Sequence, residues 1–315
     1  MARRGDQIFL LRGADGSDVT PLSVTAYEFE AELQDLLAKH PSLLGGGQID
    51  PENPRRWLHV CGEASIANRM GGSRAMALDH LFLDQDATPT LVEIKRSADT
   101  RIRREVVGQM LDYAANAQAY WPPGHIRTLA ASTLGDDEDA LSEAVAALTE
   151  DVSWGGNLGE ADRVEQYWER VDQRLADGEM RLLFVADAIP PELRRIIEFM
   201  NAQMQRVEVL GVELPKYTGA GIKALVPRVI GQSEEARRGK SSRLMPPAAS
   251  MTQERFLDGL TPEARPFFEV FIKHASAAPF KIVWGSKGFS VRVRRPDGAW
   301  ASIAYGYMKG FRAFD

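Results

Sequence analysis

Between positions 79 and 113 the chain carries an aspartate, Asp79, the tripeptide Glu93-Ile94-Lys95, and a polar pair, Gln109 and Tyr113. Two carboxylates, with the backbone carbonyl of Ile94 as a third hard oxygen, suit a divalent cation that keeps coordination positions open for water and phosphate. Lys95 adds a positive charge beside them. The chemistry such a set can perform is hydrolysis of a phosphodiester bond. Each piece also has a plainer reading. Glu-x-Lys occurs on many solvated strand faces, and a Gln/Tyr pair can be a polar seam over a sheet. What sets this stretch apart is that all the pieces occur together.

The elements that must position these residues are a hairpin and a helix. The cluster Asp84-Gln85-Asp86-Ala87-Thr88-Pro89 separates two apolar runs and predicts strands over 75–83 and 90–95, with Asp84 and Asp86 as turn residues. Strand side chains alternate, so Glu93 and Lys95 share one face while Val92 and Ile94 anchor the other. Asp79 lies one strand back. Ser97-Ala98-Asp99 breaks the second strand, and Asp99 or Thr100 can cap a helix that runs from 101 toward Trp121 and stops at Pro122-Pro123. On that helix Ile102, Val106, Gln109 and Tyr113 form one stripe, which turns Gln109 and Tyr113 toward the acidic pair.

Upstream, 7–24 reads as a strand, a loop over 13–17 and a return. A helix is expected over 25–40, with Thr25 as N-cap and Glu28 completing a capping box. A strand over 57–61 places His59 and Cys61 on one face. With Glu63 they are expected to be half-buried strand residues rather than metal ligands. Downstream, 126–133 is expected as a strand, 136–148 as an acidic helix and 153–159 as a glycine-rich loop. An α/β unit follows: helix 162–175, strand 180–186, helix 191–204 and strand 207–214, an order that favours a crossover between parallel strands. One more strand is expected over 225–230. The fragment GAGIK at 219–223 lacks the spacing of a phosphate-binding loop. Residues 233–250 have the composition of a linker between a first domain, 1–232, and a small α+β module, 251–315. That module shows a helical pattern over 253–275, interrupted near Pro262 and Pro266, and strands over 280–284, 289–295 and 300–307.

At 315 residues and 44% hydrophobic content the chain can bury at least one good core. No window holds the roughly 18 apolar residues of a membrane span. The apolar run from Ile8 to Leu11 is too short for a signal peptide. The single cysteine, Cys61, excludes a disulfide framework and a cysteine-rich zinc site. A soluble, cytoplasmic protein without membrane association is the expectation. A net charge of −6 argues, taken alone, against a nucleic-acid partner. Residues 251–315 nevertheless carry ten Lys and Arg against six Asp and Glu. Screening confines surface fields to about 8–10 Å, so local basic patches remain compatible with phosphate contact.

The constellation resembles the PD-(D/E)XK, or restriction-endonuclease-like, nuclease superfamily, and within it the catalytic domain of NucS-like DNA endonucleases. In such domains an Asp, a Glu-x-Lys about fourteen positions later and a helix bearing Gln and Tyr four apart form the site. Asp79, Glu93, Lys95, Gln109 and Tyr113 stand at those places. The family's upstream helix, Glu-x-acidic-Leu closing on His-Pro and an apolar pair, is matched by Glu30, Glu32-Leu33, His40-Pro41 and Leu43-Leu44, which adds Glu30 to the site. The resemblance spans roughly 28–120. Leu78 stands where the family has a proline, the segment from Lys95 to Gln109 is slightly longer, and residues 1–20 do not resemble the family's DNA-binding N-terminal domain.

The resemblance implies an α/β fold with a mixed central sheet flanked by helices, and a metal-dependent endonuclease acting in DNA repair or genome defence. Mg²⁺ or Mn²⁺ would be held by Asp79, Glu93 and the Ile94 carbonyl. Lys95, charged, would orient hydroxide and stabilise charge developing on the phosphate. Gln109 would fix the lysine or the water, and Tyr113 would support the helix or touch substrate. Arg96, Arg101, Arg103 and Arg104 are the expected phosphate contacts, with Arg292, Arg294 and Arg295 as a second patch. The implied partner is nucleic acid, DNA before RNA, and a homodimer would let paired sites cut both strands. The contrasting class is a catalytically silent nucleic-acid- or partner-binding protein on the same fold.

Overall fold

The computed structural model describes residues 7–12, 18–66, 76–97, 105–152, 159–232, 252–276, 279–284, 288–294 and 300–307. Two compact units divide the chain, Met1–Lys240 and Ser241–Asp315. The first begins with β1 (Gln7–Arg12), β2 (Asp18–Thr25), α1 (Glu30–Lys39), a 3-10 turn (Pro41–Leu44) and α2 (Gly46–Ile49). It continues through β3 (Trp57–Ile66), β4 (Met76–Asp84), β5 (Pro89–Lys95), α3 (Glu105–Tyr120), α4 (His125–Thr133), α5 (Glu138–Leu148) and α6 (Glu160–Asp177). It closes with β6 (Met180–Ala186), α7 (Pro191–Gln203), β7 (Val207–Glu213), β8 (Lys216–Gly219), β9 (Ile222–Leu225) and β10 (Arg228–Ile230).

A six-stranded mixed sheet of order β10-β7-β6-β5-β4-β3, flanked by helices, forms the centre. Its middle strands β5, β6 and β7 run parallel, and β4, β3 and β10 pair antiparallel outside them. β5 and β6 are buried along almost their whole lengths, which is why their sequences are near-continuous apolar runs rather than alternating ones. Alternation still sorts their side chains. Leu182, Phe184 and Ala186 enter one core with α3 to α7, while Leu183 and Val185 enter a second with α1, where Leu33 and Leu37 meet Val92 and Ile94. The parallel β6-α7-β7 unit lies where the sequence places it. A separate antiparallel sheet has the order β1-β2-β8-β9. GAGIK is its β8-β9 turn, with Ala220 and Gly221 at positive φ.

Three expectations about the elements are corrected. Residues 126–133 form a helix, α4, and not a strand. Gly124 opens it in the left-handed region (φ 81), and Ile126, Ala130 and Ala131 face the core against β3. Those buried positions recur at the helical period, which a short run of Ile, Leu and Thr obscures. The helix expected over 25–40 starts only at Glu30, and Thr25 is not its cap. Thr25 is the last residue of β2, paired with Lys216 of β8. Tyr27 is buried, and its hydroxyl donates to the Leu214 carbonyl at 2.9 Å, which holds the connection into α1 extended. The strand expected over 225–230 is divided between the end of β9 and β10. The expected linker and nearly all of the 153–159 loop lie outside the described residues.

Asp84, expected as a turn residue, is that and more. Its Oδ1 accepts the backbone N–H groups of Asp86 and Thr88, at 3.0 and 2.9 Å, which shapes the hairpin turn. Its Oδ2 meets Arg181 Nη1 at 2.9 Å in the interior, and Arg181 also binds Glu208 and lies over the Trp57 ring.

The second unit contains α8 (Gln253–Asp258), α9 (Arg265–Ala275) and an antiparallel sheet of β11 (Phe280–Trp284), β12 (Gly288–Arg294) and β13 (Trp300–Tyr307). Phe256, Ile272, Phe289 and Val291 lie in its core. The helical break falls at Pro262, whereas Pro266 sits in the first turn of α9, where its missing N–H costs nothing. Among the described residues no helix is long and apolar enough to cross a membrane.

Candidate active site

The β4–β5 ladder runs from Leu83↔Pro89 to His80↔Val92. At the next position the two strands part, and the Asp79 side chain takes the place of a backbone acceptor. Its Oδ2 accepts the Ile94 N–H at 2.7 Å. On the other side of β5 the parallel ladder to β6 continues through Glu93↔Phe184 to Lys95↔Ala186. The opening therefore sits at the carboxyl end of the parallel strands, where open α/β sheets bind ligands.

Four charged side chains meet there. Lys95 Nζ lies 3.0 Å from Glu93 Oε1, 3.3 Å from Glu30 Oε1 and 3.9 Å from Asp79 Oδ2, and it donates to the Ile94 carbonyl at 2.8 Å. Glu30 is the first residue of α1, so the helix and the hairpin are both needed to assemble the set. Glu93 is 1% exposed, and its carboxylate is met by the Lys95 ammonium, 3.0 Å from Oε1, with no other donor among the described residues. A cavity of about 10 Å³, room for at most a single water, adjoins Glu93 and Lys95 and is walled by Val106, Phe184, Ile189 and Leu193.

This apolar wall explains the titration behaviour. Burial first, and then the charge of Asp79, push the Glu93 carboxyl from its ordinary 4.5 up to about 7. Burial likewise raises Asp79, against the pull of the Ile94 N–H and of Lys95. For Lys95 burial opposes the charge, but Glu93, Asp79 and Glu30 outweigh it and hold the ammonium above its ordinary range. A neutral Lys95 acting as general base at pH 7 is disfavoured by that direction.

Gln109 and Tyr113 are brought to the same side. Tyr113 is 1% exposed on the buried face of α3, and the Gln109 amide donates to its hydroxyl. Burial raises the Tyr113 phenol, and the charges of Glu93 and Asp79 add to the effect. Arg96 donates from Nη1 to the Tyr27 and Glu28 carbonyls at 3.3 and 2.5 Å, tying the end of β5 to the start of α1, and its side chain stays half-buried. Arg101, Arg103 and Arg104 lie outside the described residues, as does Ile102 of the expected stripe. The side chains of Arg292 and Arg294, with the whole of Arg295, do so too.

His59, Cys61 and Glu63 all lie on β3, but the shared face expected for His59 and Cys61 is corrected. A bulge between them leaves Cys61 buried beside Val60 in the first core while His59 packs on His80 and Phe82, and Glu63 is exposed at positive φ (49°). His59 Nε2 lies 3.1 Å from His80 Nδ1, and burial lowers the His59 pKa to about 4. Cys61 is a buried thiol pushed up to about 11. Among the described residues no group of three or more His, Cys, Asp or Glu side chains is gathered to hold a metal ion. The donors of the smaller set, Asp79, Glu93 and the Ile94 carbonyl, are all oxygens, the type a hard divalent cation takes. The cation that stands among them here is Lys95 Nζ, 3.0 Å from Glu93 Oε1 and 2.8 Å from the Ile94 carbonyl.

Two residues missed in the sequence complete the surroundings. Gln34 donates to Asp79 Oδ1 at 2.8 Å. Asp187, immediately after β6, accepts the Ser97 N–H at 2.6 Å and the Ser97 hydroxyl at 2.8 Å, fixing the chain as it leaves β5. The signal for Gln34 was its place four residues after Glu30 on one helix face. For Asp187 it was an acid directly following a buried parallel strand. Comparison of the chain with protein-family models, with curated proteins and with solved structures gives no match.

Proposed function

We propose that this chain is a metal-dependent nuclease on a restriction-endonuclease-like core, hydrolysing phosphodiester bonds of DNA as an endonuclease in repair or genome defence. The observation that carries the proposal is Glu93, a carboxylate enclosed by apolar side chains, facing Asp79 and paired with one charged lysine that it shares with two further carboxylates. Like charges gathered in an apolar enclosure, with most of their lone pairs left without a donor, are what a binding or catalytic site looks like. Asp79, Glu93 and the Ile94 carbonyl would hold Mg²⁺ or Mn²⁺. The bound ion would neutralise phosphate charge and make its water acidic.

The residues themselves divide the rest of the work. Lys95, kept protonated by three carboxylates, donates to the attacking oxygen and to the phosphate rather than accepting a proton. Glu30 holds the lysine from the helix side. The Ile94 N–H keeps Asp79 turned into the opening. The Gln109 and Tyr113 pair closes the α3 side, and the apolar wall around Glu93 excludes bulk water. The test is a cleavage panel of single- and double-stranded DNA and RNA with Mg²⁺, Mn²⁺ or EDTA. Cleavage of DNA that needs metal, and that falls by about 10²–10³-fold in Lys95→Ala, is expected. EDTA-resistant cleavage, or full activity in Lys95→Ala, overturns the assignment.

One observation favours the contrasting class, a silent binding protein. Lys95 already balances three carboxylates, so the cluster can stand as a closed ion network within the fold. Nucleic-acid binding with no heat on Mn²⁺ titration and no cleavage is the outcome that selects it.

A further inference from the structure

Asp79 is held by two donors from different elements. Its Oδ2 takes the Ile94 N–H from β5, and its Oδ1 takes the Gln34 side-chain amide from α1. The first donor belongs to the strand that bears Glu93 and moves with it. Only the second sets the rotation of the carboxylate about its own axis, because two donors on two oxygens fix a plane where one leaves a hinge. Gln34 is itself anchored. His80 Nε2 lies 3.1 Å from the Gln34 carbonyl, and since a carbonyl can only accept, this nitrogen bears the proton. His80 Nδ1 is then the acceptor for His59 Nε2–H at 3.1 Å. A chain of hydrogen bonds thus runs from β3 through β4 to the Gln34 backbone, and the Gln34 side chain returns to β4 at Asp79.

From this loop of contacts we infer that Gln34 is a positioning residue: it sets the orientation of the Asp79 carboxylate toward the divalent-cation site, with His80 and His59 fixing Gln34 in turn. The inference rests on the reading of Asp79 and Glu93 as cation ligands. Outer partners of metal-binding carboxylates orient their lone pairs, and their loss typically weakens metal affinity by about 10- to 100-fold. Glu30, one helical turn before Gln34, reaches Lys95 from the same face of α1. One helix face therefore serves both the lysine and the aspartate, and α1 acts as a wall of the site rather than as packing alone.

The experiment is calorimetric titration of Mn²⁺ into the full chain, wild type against Gln34→Ala and Gln34→Glu, with DNA cleavage measured across the same Mn²⁺ range. Gln34→Ala is expected to raise the Mn²⁺ dissociation constant and the half-saturating Mn²⁺ by about 10- to 100-fold. Its kcat at saturating metal and its KM for DNA should stay within a few-fold of wild type. Gln34→Glu, equal in size, is a second probe where alanine loosens α1: it takes the donor from Asp79 Oδ1 while its own charge attracts Mn²⁺, so its metal affinity should fall less than that of Gln34→Ala. A merely structural role for Gln34 would lower the melting temperature and leave the Mn²⁺ dependence unchanged, and that result overturns the inference alone. A wild-type chain that binds no Mn²⁺ and cuts nothing overturns the underlying site reading as well.

Discussion

Glu93→Gln is expected to make the folded chain more stable above neutral pH. In the folded state the Glu93 carboxyl titrates near 7, against an ordinary value of 4.5. Between those values the folded chain binds more protons than the unfolded one, so stability falls as pH rises through the window, and the loss is complete above about pH 7. A difference of that size corresponds to at most about 3 kcal/mol. Glutamine has the same shape and carries no charge into the apolar wall formed by Val106, Phe184 and Leu193. The variant should therefore melt several degrees above wild type at pH 8, and the gap should close below about pH 5. Thermal unfolding at pH 5 and pH 8, without divalent cations, checks this. Saturating Mn²⁺ should narrow the gap at pH 8 by stabilising only the wild type. A destabilised Glu93→Gln at pH 8 would mean that the carboxylate is a net contributor to the fold, and the case for a strained site would fail.

The second large effect lies at the other end of the hairpin. Arg181→Met is expected to cost about 3–5 kcal/mol, because it leaves the Asp84 carboxylate buried without its main counter-charge. Burial pushes the Asp84 carboxyl up, yet Arg181 and Arg55 outweigh it and hold the group below its ordinary 3.8. The stabilisation from Asp84 is therefore present above about pH 4 and is lost as pH falls through the lowered value. Adding Asp84→Asn to Arg181→Met removes the stranded charge and should recover a large part of the loss. Urea denaturation of the single and double variants measures it, and a loss under about 1 kcal/mol in Arg181→Met would contradict the account. The two ends of β4 and β5 thus differ in kind. One end carries charges that are paired at short range and stabilise the fold. The other gathers three carboxylates around a single lysine, with burial raising Glu93 and Asp79 rather than lowering them.

The parts legible in the sequence are those where local pattern and burial agree. The apolar runs of β5 and β6, and the parallel β6-α7-β7 unit, were visible from period and length alone. So was the shared face of Glu93 and Lys95, since strand alternation needs no tertiary information. What escaped is set by distant partners. Thr25 looks like a helix cap until β8 pairs with it, nearly two hundred residues on. Residues 126–133 carry too few apolar positions to distinguish the strand period from the helical one. The bonds from Arg96 to the Tyr27 and Glu28 carbonyls, nearly seventy positions back, likewise have no local pattern to announce them. Gln34 and Asp187 reach their partners across 45 and 90 positions respectively, so their local signals, the Glu30 face of α1 and the end of β6, mark the neighbourhood without naming the partner.

The central claim is tested most directly by assaying Mn²⁺-dependent DNA cleavage with wild type and Glu93→Gln side by side, after confirming that the variant melts no lower than wild type at pH 8. A better-folded variant that has lost cleavage assigns the buried carboxylate to the reaction, and this is the predicted result. Cleavage at the wild-type rate by Glu93→Gln would contradict it.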